Sequence, residues 1–263
     1  MYLVYSRHSY ITARKLAKEL GLRARNEKRS FSHMPIIRYG SSRYFGFDNP
    51  QVNTLQSIIQ ASNKSGALTV LNNHGITVPK YYAFVDAEEI KYPVLARKTF
   101  HKQGRDIILC NNREEAVNAL HSGRDYLLEF IEARAEYRLH CIDNEIVKIF
   151  RKVRLSPDSH DFIKCTRCGW GFYRTDMGQD WLQPMKSKAI ESLKALGLYF
   201  GAVDMIHSTN HRFVVLEVNS APALNTDTLN VYTKKLHHWL EKNYEMEPIR
   251  GSKTHRFRVK NNP

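Results

Sequence analysis

The chain has 263 residues, 42% of them hydrophobic, with a formal net charge of +14. That length allows one large soluble domain or two small ones with real cores. No stretch reaches the roughly 18 apolar residues of a membrane span, and the start, "MYLVYSRHSYITARK", lacks the long apolar run of a secretory signal. The charge sits at the two ends. Residues 1–45 hold ten Lys/Arg against two Glu, and residues 250–263 hold five Lys/Arg and no acid. Such ends are either a solvated face with a disordered tail or an electrostatic surface for an acidic partner, such as nucleic acid, an acidic peptide or a phosphorylated substrate.

In chain order, "MYLVYS" reads as a strand, "SYITARKLAKELG" as a helix stopped by Gly21, and "MPIIRYGSS" as a second strand ending in a Gly-Ser turn. This βαβ-like start is too short for a full dinucleotide-binding domain. "NTLQSIIQASNKSGALTVLNNHGITVP" is helical in pattern, with breaks expected at Ser65-Gly66 and His74-Gly75. "YPVLARKTF" and "RDIILC" read as strands flanking "HKQG", and "NREEAVNALHSG" as a helix with an Asn-x-x-Glu start. "DYLLEFIE", "EYRLHCID" and "EIVKIFRKVRL" are three strands, the last two joined by a "DNE" hairpin turn. Residues 155–180 are polar and irregular and read as a long loop with short strands, of a length that is usually functional or mobile. An amphipathic helix ending at Gly197, the strand pair "LYFGAVDMIHS" and "HRFVVLEVNS", and a helix capped at Asn225 or Thr226 complete the chain.

The four cysteines are Cys110, Cys141, Cys165 and Cys168. The first two end apolar runs and read as buried thiols. "CTRCGW" holds one Cys-x-x-Cys, and even with His160 a structural zinc set stays incomplete. This usage suits a reducing cytoplasm, which is the expected location.

Three polar side chains interrupt apolar strands: Asp204 in "FGAVDMI", and Glu217 and Asn219 in "VVLEVNSAP". A buried carboxylate needs a partner or a cation. Two carboxylates and an amide on adjacent strands supply hard oxygens that suit Mg²⁺. Salt bridges to Arg or Lys would satisfy the same groups.

At these residues the sequence resembles the ATP-grasp carboxylate–amine ligases, especially their RimK-like alpha-L-glutamate ligase branch. "GLYFGAVDMIHSTNHRFVVLEVNSAPAL" is similar to the family's C-terminal signature. "ASNKSGALTVLNNHGITVPKYY", "YPVLARKTFHKQGRDIIL" and "YLLEFIEARAEYRLHCIDNEIVKIFRKV" fall in the family's order, and together the motifs span about residues 35–240. The resemblance implies an α/β fold of ATP-grasp type, two α/β subdomains clamping ATP behind a short N-terminal βαβ-like region. The implied division is 1–52 for that region, 53–125 for the small lid subdomain, 126–245 for the large subdomain and 246–263 for a basic, flexible tail.

The resemblance also implies roles. Asp204, Glu217 and Asn219 would hold Mg²⁺, with Mn²⁺ as the alternative ion. Lys64 looks like the first phosphate-contacting lysine. Glu129 looks like the hinge acid near the adenine, with the backbone of Phe130 and Ile131 meeting the base and Glu132 or Glu136 accepting ribose hydroxyls. Arg138 and Arg151 would stabilise the acyl phosphate and the tetrahedral intermediate. Where relatives carry a lysine four residues after Pro93, this chain has Arg97, followed by Lys98. Only one of the two can face the nucleotide, and register favours Arg97. The cover loop "HKQGRD" keeps a single glycine, Gly104, and adds His101, a further phosphate-contact candidate. Lys164, Arg167 and Arg174 are candidates to meet the carboxylate substrate.

The expected activity is ATP-dependent activation of a carboxylate and its transfer to an amine. The partners are ATP, the two substrates (including a peptide or other acidic macromolecule) and, through the basic ends, nucleic acid. The competing readings are a kinase that stops at phosphoryl transfer, a nucleic-acid-binding or virion-associated protein, and a relative with a dead site.

Overall fold

The computed structural model describes residues 1–26, 35–44, 51–85, 89–99, 107–248 and 255–259. The N-terminal part is β1 (Tyr2–Tyr5), α1 (Tyr10–Glu19), β2 (Arg23–Asn26), β3 (Ile36–Tyr39) and β4 (Gln51–Val52). Its four strands form a parallel sheet in the order β2-β1-β3-β4. α1 lays Ala13, Leu16 and Ala17 on it. β2, "RARN", carries no apolar alternation and is recruited by pairing with β1.

Next come α2 (Leu55–Ser62) and α3 (Lys64–Asn73). The break between them falls at Asn63, two residues before the expected Ser65-Gly66. Asn63 is extended, and its side chain caps α3 by accepting the Gly66 N–H at 3.1 Å. A Cβ on Gly66 would lie 2.8 Å from Asn63 Nδ2, so the glycine leaves room for the cap.

β5 (Tyr81–Tyr82), β6 (Val94–Arg97), β7 (Ile108–Cys110), α4 (Arg113–His121) and β8 (Tyr126–Glu129) follow. The strands form an antiparallel sheet ordered β5-β8-β6-β7. Val94, Ala96, Cys110 and Leu127 pack with Ala116 and Ala119 of α4. On the opposite side Tyr126, Leu128 and Leu95 meet Leu68 of α3.

The remaining elements are β9 (Ala133–Ile142), β10 (Glu145–Arg154), β11 (Trp170–Arg174), α5 (Gln183–Ala195), β12 (Phe200–Ser208), β13 (Phe213–Asn219), α6 (Thr226–Asn243), β14 (Tyr244–Pro248) and β15 (His255–Val259). β9 to β13 form a five-stranded sheet ordered β11-β10-β9-β12-β13, antiparallel throughout. Asp143 and Asn144 both have positive φ, 53° and 58°, as a two-residue hairpin turn requires. One face of this sheet, with Tyr137, Leu139, Val203, Met205 and Val218, buries against α5, α2 and α3. On the other face, Ile142, Val147 and Phe200 meet Tyr232, Leu236 and Leu240 of α6 and the N-terminal sheet. Asn53 ties the two parts together, accepting the Tyr199 N–H at 2.8 Å and donating to the Phe200 carbonyl at 3.0 Å. From residue 244, where a flexible tail was expected from 246, β14 and β15 pair as an antiparallel ribbon. Among the described residues no helix is long and apolar enough to cross a membrane.

Candidate active site

The site is built on the part of the five-stranded sheet that α6 leaves uncovered. Register sets Phe150, Arg138, Asp204 and Glu217 in one row across β10, β9, β12 and β13. A bulge makes the last step of that row possible. Asp204 pairs with Glu217 while Met205 pairs with Val215, so Leu216 is the extra residue. Val215 and Glu217 are two apart and would share a face on a flat strand. The bulge sends Val215 into the core under α5 and leaves Glu217 beside Asp204.

Every carboxylate in the row is held by a cation. Asp204, buried, takes a two-pronged fork from Arg138, with both bonds at 2.7 Å. The Arg138 guanidinium lies 4.8 Å from the centre of the Phe172 ring. Glu217 meets the Lys64 ammonium at 2.7 Å and the Asn219 amide N–H at 2.9 Å. Burial alone would raise the Glu217 carboxyl. Lys64, Asn219 and Arg97 outweigh it and hold the group well below the usual range. Lys64 is the first residue of α3, where the helix dipole disfavours a cation. Its place there is compensated by Glu217.

One pair further along, Lys152 donates to Glu136 and stands 3.9 Å from Asp204. Burial works against its charge, and the two carboxylates more than offset that, so the ammonium is held above its usual range. Lys164 approaches Glu136 to 3.9 Å and lies 5.3 Å from the centre of the Trp170 ring. Lys152, Glu136 and Lys164, with Arg134, Arg151, Arg154 and Trp170, are among the residues that line a cavity of about 400 Å³.

The loop after Asn219 is packed against the N-terminal part. Tyr39 donates to the Pro222 carbonyl. Gly40 has φ +69°, and a Cβ there would lie 2.7 Å from Ala221 Cβ. Arg38, fully buried, donates to the carbonyls of Ser41 and Arg43 at 3.2 and 2.8 Å and fixes the Gly-Ser turn beside the end of β13.

A model of the RimK-like ATP-grasp domain matches residues 61–236. The chain belongs to the RimK-like ATP-grasp family. It is 25% identical over 240 residues to a probable alpha-L-glutamate ligase of Pasteurella multocida, covering 80% of this chain and 73% of that one. To a coenzyme gamma-F420-2:alpha-L-glutamate ligase of Methanococcus maripaludis it is 23% identical over 189 residues, covering 65% of this chain and 62% of that one. The fold is that of the D-alanine--D-alanine ligase of Bacillus anthracis, with TM-score 0.70 at 13% identity over 91% of this chain and 95% of that one.

Within this RimK-like framework the sequence-derived residues land as follows. Lys64, Arg138, Asp204, Glu217 and Asn219 converge. Arg97 follows Leu95 on the side of β6 that meets α3, and its charge reaches Glu217. Lys98 comes after the end of β6, on the other side by alternation. Glu129 ends β8 and accepts the Lys80 N–H at 3.0 Å. Phe130 packs edge-on to Phe162, with ring centres 6.1 Å apart. Ile131 and the exposed Glu132 continue the link to β9, where the Glu132 carbonyl accepts the Thr209 N–H. His101 and Gly104 lie outside the described residues.

Arg151 is exposed and borders the same cavity, without joining the bonded row. It pairs with Tyr137, which faces the α5 side, whereas its neighbours Phe150 and Lys152 face the cleft. The β10 cation bonded within the row is Lys152. Alternation of Lys148, Phe150 and Lys152 opposite Glu136, Arg138 and His140 is the signal that locates it. Of the loop cations, Lys164 lines the cavity, Arg174 reaches Asp227 at 3.7 Å, and Arg167 is exposed.

Proposed function

We propose that this chain is an ATP- and Mg²⁺-dependent carboxylate–amine ligase. The observation that carries the reading is the row Arg138–Asp204–Glu217, capped by Lys64 and continuing into the cationic cavity through Lys152. Lys64 and Arg97 would meet the nucleotide phosphates, and the β8–β9 link with Glu129 would meet the base.

The donor set fits Mg²⁺ in kind. Asp204, Glu217 and Asn219 offer oxygens on adjacent strands of one face, and the Asn219 amide donates to Glu217 so that its own oxygen is free to ligate. These three residues would hold the ion, which supplies charge neutralisation at the phosphates. In the chemistry, a substrate carboxylate oxygen attacks the γ-phosphorus and ADP leaves. An amine nitrogen then attacks the acyl carbon, and phosphate leaves as the amide forms. Arg138 and Lys152 are fixed donors facing the developing oxyanions, held by carboxylates before substrate arrives. Lys164, Arg134 and Arg154 give the cavity the charge to receive a carboxylate. The relatives' names make L-glutamate the first amine to test.

ADP release should be followed with Mg-ATP and a panel of carboxylic acids, each with and without L-glutamate and other amines, with products read by mass spectrometry. An amide formed only with ATP, acid and amine together is the expected result. ADP release that ignores the amine would favour a kinase. Salt-sensitive nucleic-acid binding that survives Glu217→Ala, without any amide, would favour the basic-end reading, which draws no support from the relatives.

A further inference from the structure

Cys165 and Cys168 open and close a turn in the segment between β10 and β11. The Cys168 N–H donates to the Cys165 carbonyl at 2.9 Å, and the Trp170 N–H donates to the same carbonyl at 3.2 Å. Both thiols lie on one side of this turn, with Sγ atoms 2.8 Å apart. Each is partly exposed, whereas Cys110 and Cys141 are buried. The turn is pinned from outside. The Ser159 hydroxyl donates to the Gly169 carbonyl at 2.6 Å, and the Trp170 indole donates to the His160 carbonyl at 2.7 Å.

A bound metal would also bring two sulfurs together. Among the described residues, however, no group of three or more His, Cys, Asp or Glu side chains could hold one. His160 Nδ1 already accepts the Ile163 N–H at 3.2 Å. Two reachable thiols on a preformed turn can close to a disulfide, whose bond is about 2.05 Å, without large backbone movement.

We propose that Cys165 and Cys168 are a redox-active dithiol that closes to a disulfide by exchange with a small-molecule disulfide of the glutathione type. One cysteine loses its proton, and its thiolate attacks a sulfur of the small disulfide. One small thiolate leaves, and a mixed disulfide remains on the protein. The second cysteine thiolate attacks the protein sulfur of that mixed disulfide and releases the second small thiolate. The two cysteines give up two protons and two electrons in all, and the small disulfide is reduced to two thiols. The site stands on the loop alone and does not depend on the ligase reading. It adjoins the cationic cavity all the same, because Lys164 precedes Cys165 and Trp170 donates to its carbonyl.

The full chain should be equilibrated with oxidised glutathione, alkylated without unfolding, and read by intact mass and peptide mapping, with a dithiothreitol-treated sample beside it. The expected result is a majority species lighter by two hydrogens, with a linked Cys165–Cys168 peptide and both alkylation sites lost. Dithiothreitol restores both sites. Three outcomes overturn the proposal: both cysteines stay alkylatable, each carries its own glutathione, or the purified chain holds stoichiometric zinc that Cys165→Ser releases.

Discussion

Along β9, Tyr137, Leu139 and Cys141 point into the core under α5, while Glu136, Arg138 and His140 point to the cleft side. The same strands thus build two faces with opposite chemistry. On the α5 face the side chains are apolar, and their contribution is area removed from water. The cleft face carries charges that burial penalises, and each is kept only because an opposite charge stands against it. The comparison teaches that, over the stretch α6 leaves uncovered, the α5 face supplies stability and the cleft face supplies the charges proposed for ligand chemistry. Substitutions should therefore separate the two.

The sharpest break is Asp204→Ala. It leaves the Arg138 fork empty and Lys152 with one carboxylate fewer, both largely buried. Removing one partner of such a pair costs about 3–5 kcal/mol, and ADP release should also fall about a thousandfold. Urea denaturation and a coupled ADP assay measure the two effects. Wild-type turnover in this variant would remove Asp204 from the site altogether.

Leu139→Ala, one residue from Arg138 but on the opposite face, should cost about 2–5 kcal/mol in stability. Turnover per folded molecule should be unchanged at a temperature where the variant is folded. A variant that lost rate but not stability would show that the two faces do not divide the work in this way.

The next pair sharpens the boundary between the faces. Lys152→Ala leaves the buried Glu136 with Lys164 alone, 3.9 Å away, and removes a donor from the cavity, and turnover should drop roughly a hundredfold. Arg151→Ala, its exposed neighbour at the cavity, should change stability by no more than about 0.5 kcal/mol and lower turnover less than Lys152→Ala does. The reverse pattern in the same assay would make Arg151, and not Lys152, the cation of β10 that the reaction depends on.

That pair also marks where the sequence stops being readable. Asp204, Glu217 and Asn219 stand out because each interrupts an apolar strand, and the β9–β10 hairpin because Asp143 and Asn144 tolerate positive φ. Lys64 and Arg138 follow from the order of motifs. The bulges do not stand out. Leu216 looks like any strand residue, yet it decides that Glu217 and Val215 part company. The irregularity between Ile146 and Lys148 likewise sets which half of β10 faces the cleft, and a one-residue shift exchanges Arg151 for Lys152. The Glu136–Lys152 pair is illegible for a related reason. Its partners are 16 residues apart on two strands, and only the register shows that they meet. β2 escaped because its place in the sheet comes from backbone pairing with β1 and not from an apolar pattern.

His140 tests the cleft face by pH. It is buried, 3.2 Å from the Tyr232 hydroxyl, which itself donates to the Gly201 carbonyl at 2.9 Å. The tyrosine proton is thus committed, and His140 Nδ1–H must be the donor to its oxygen. Burial, with the Arg138 charge adding to it, lowers the imidazole from 6.5 to about 3. As pH falls between those values, the unfolded chain binds a proton that the folded chain refuses. Stability is therefore fully present above the unfolded value and is lost toward the folded one, by up to about 1.4 kcal/mol per pH unit. His140→Gln removes that proton. The wild-type advantage over the variant in urea midpoint should shrink as pH falls from about 7 to about 5. Parallel curves would mean that the folded chain accepts the proton, and that the cleft face tolerates a fourth buried cation beside Arg138, Lys152 and Lys64.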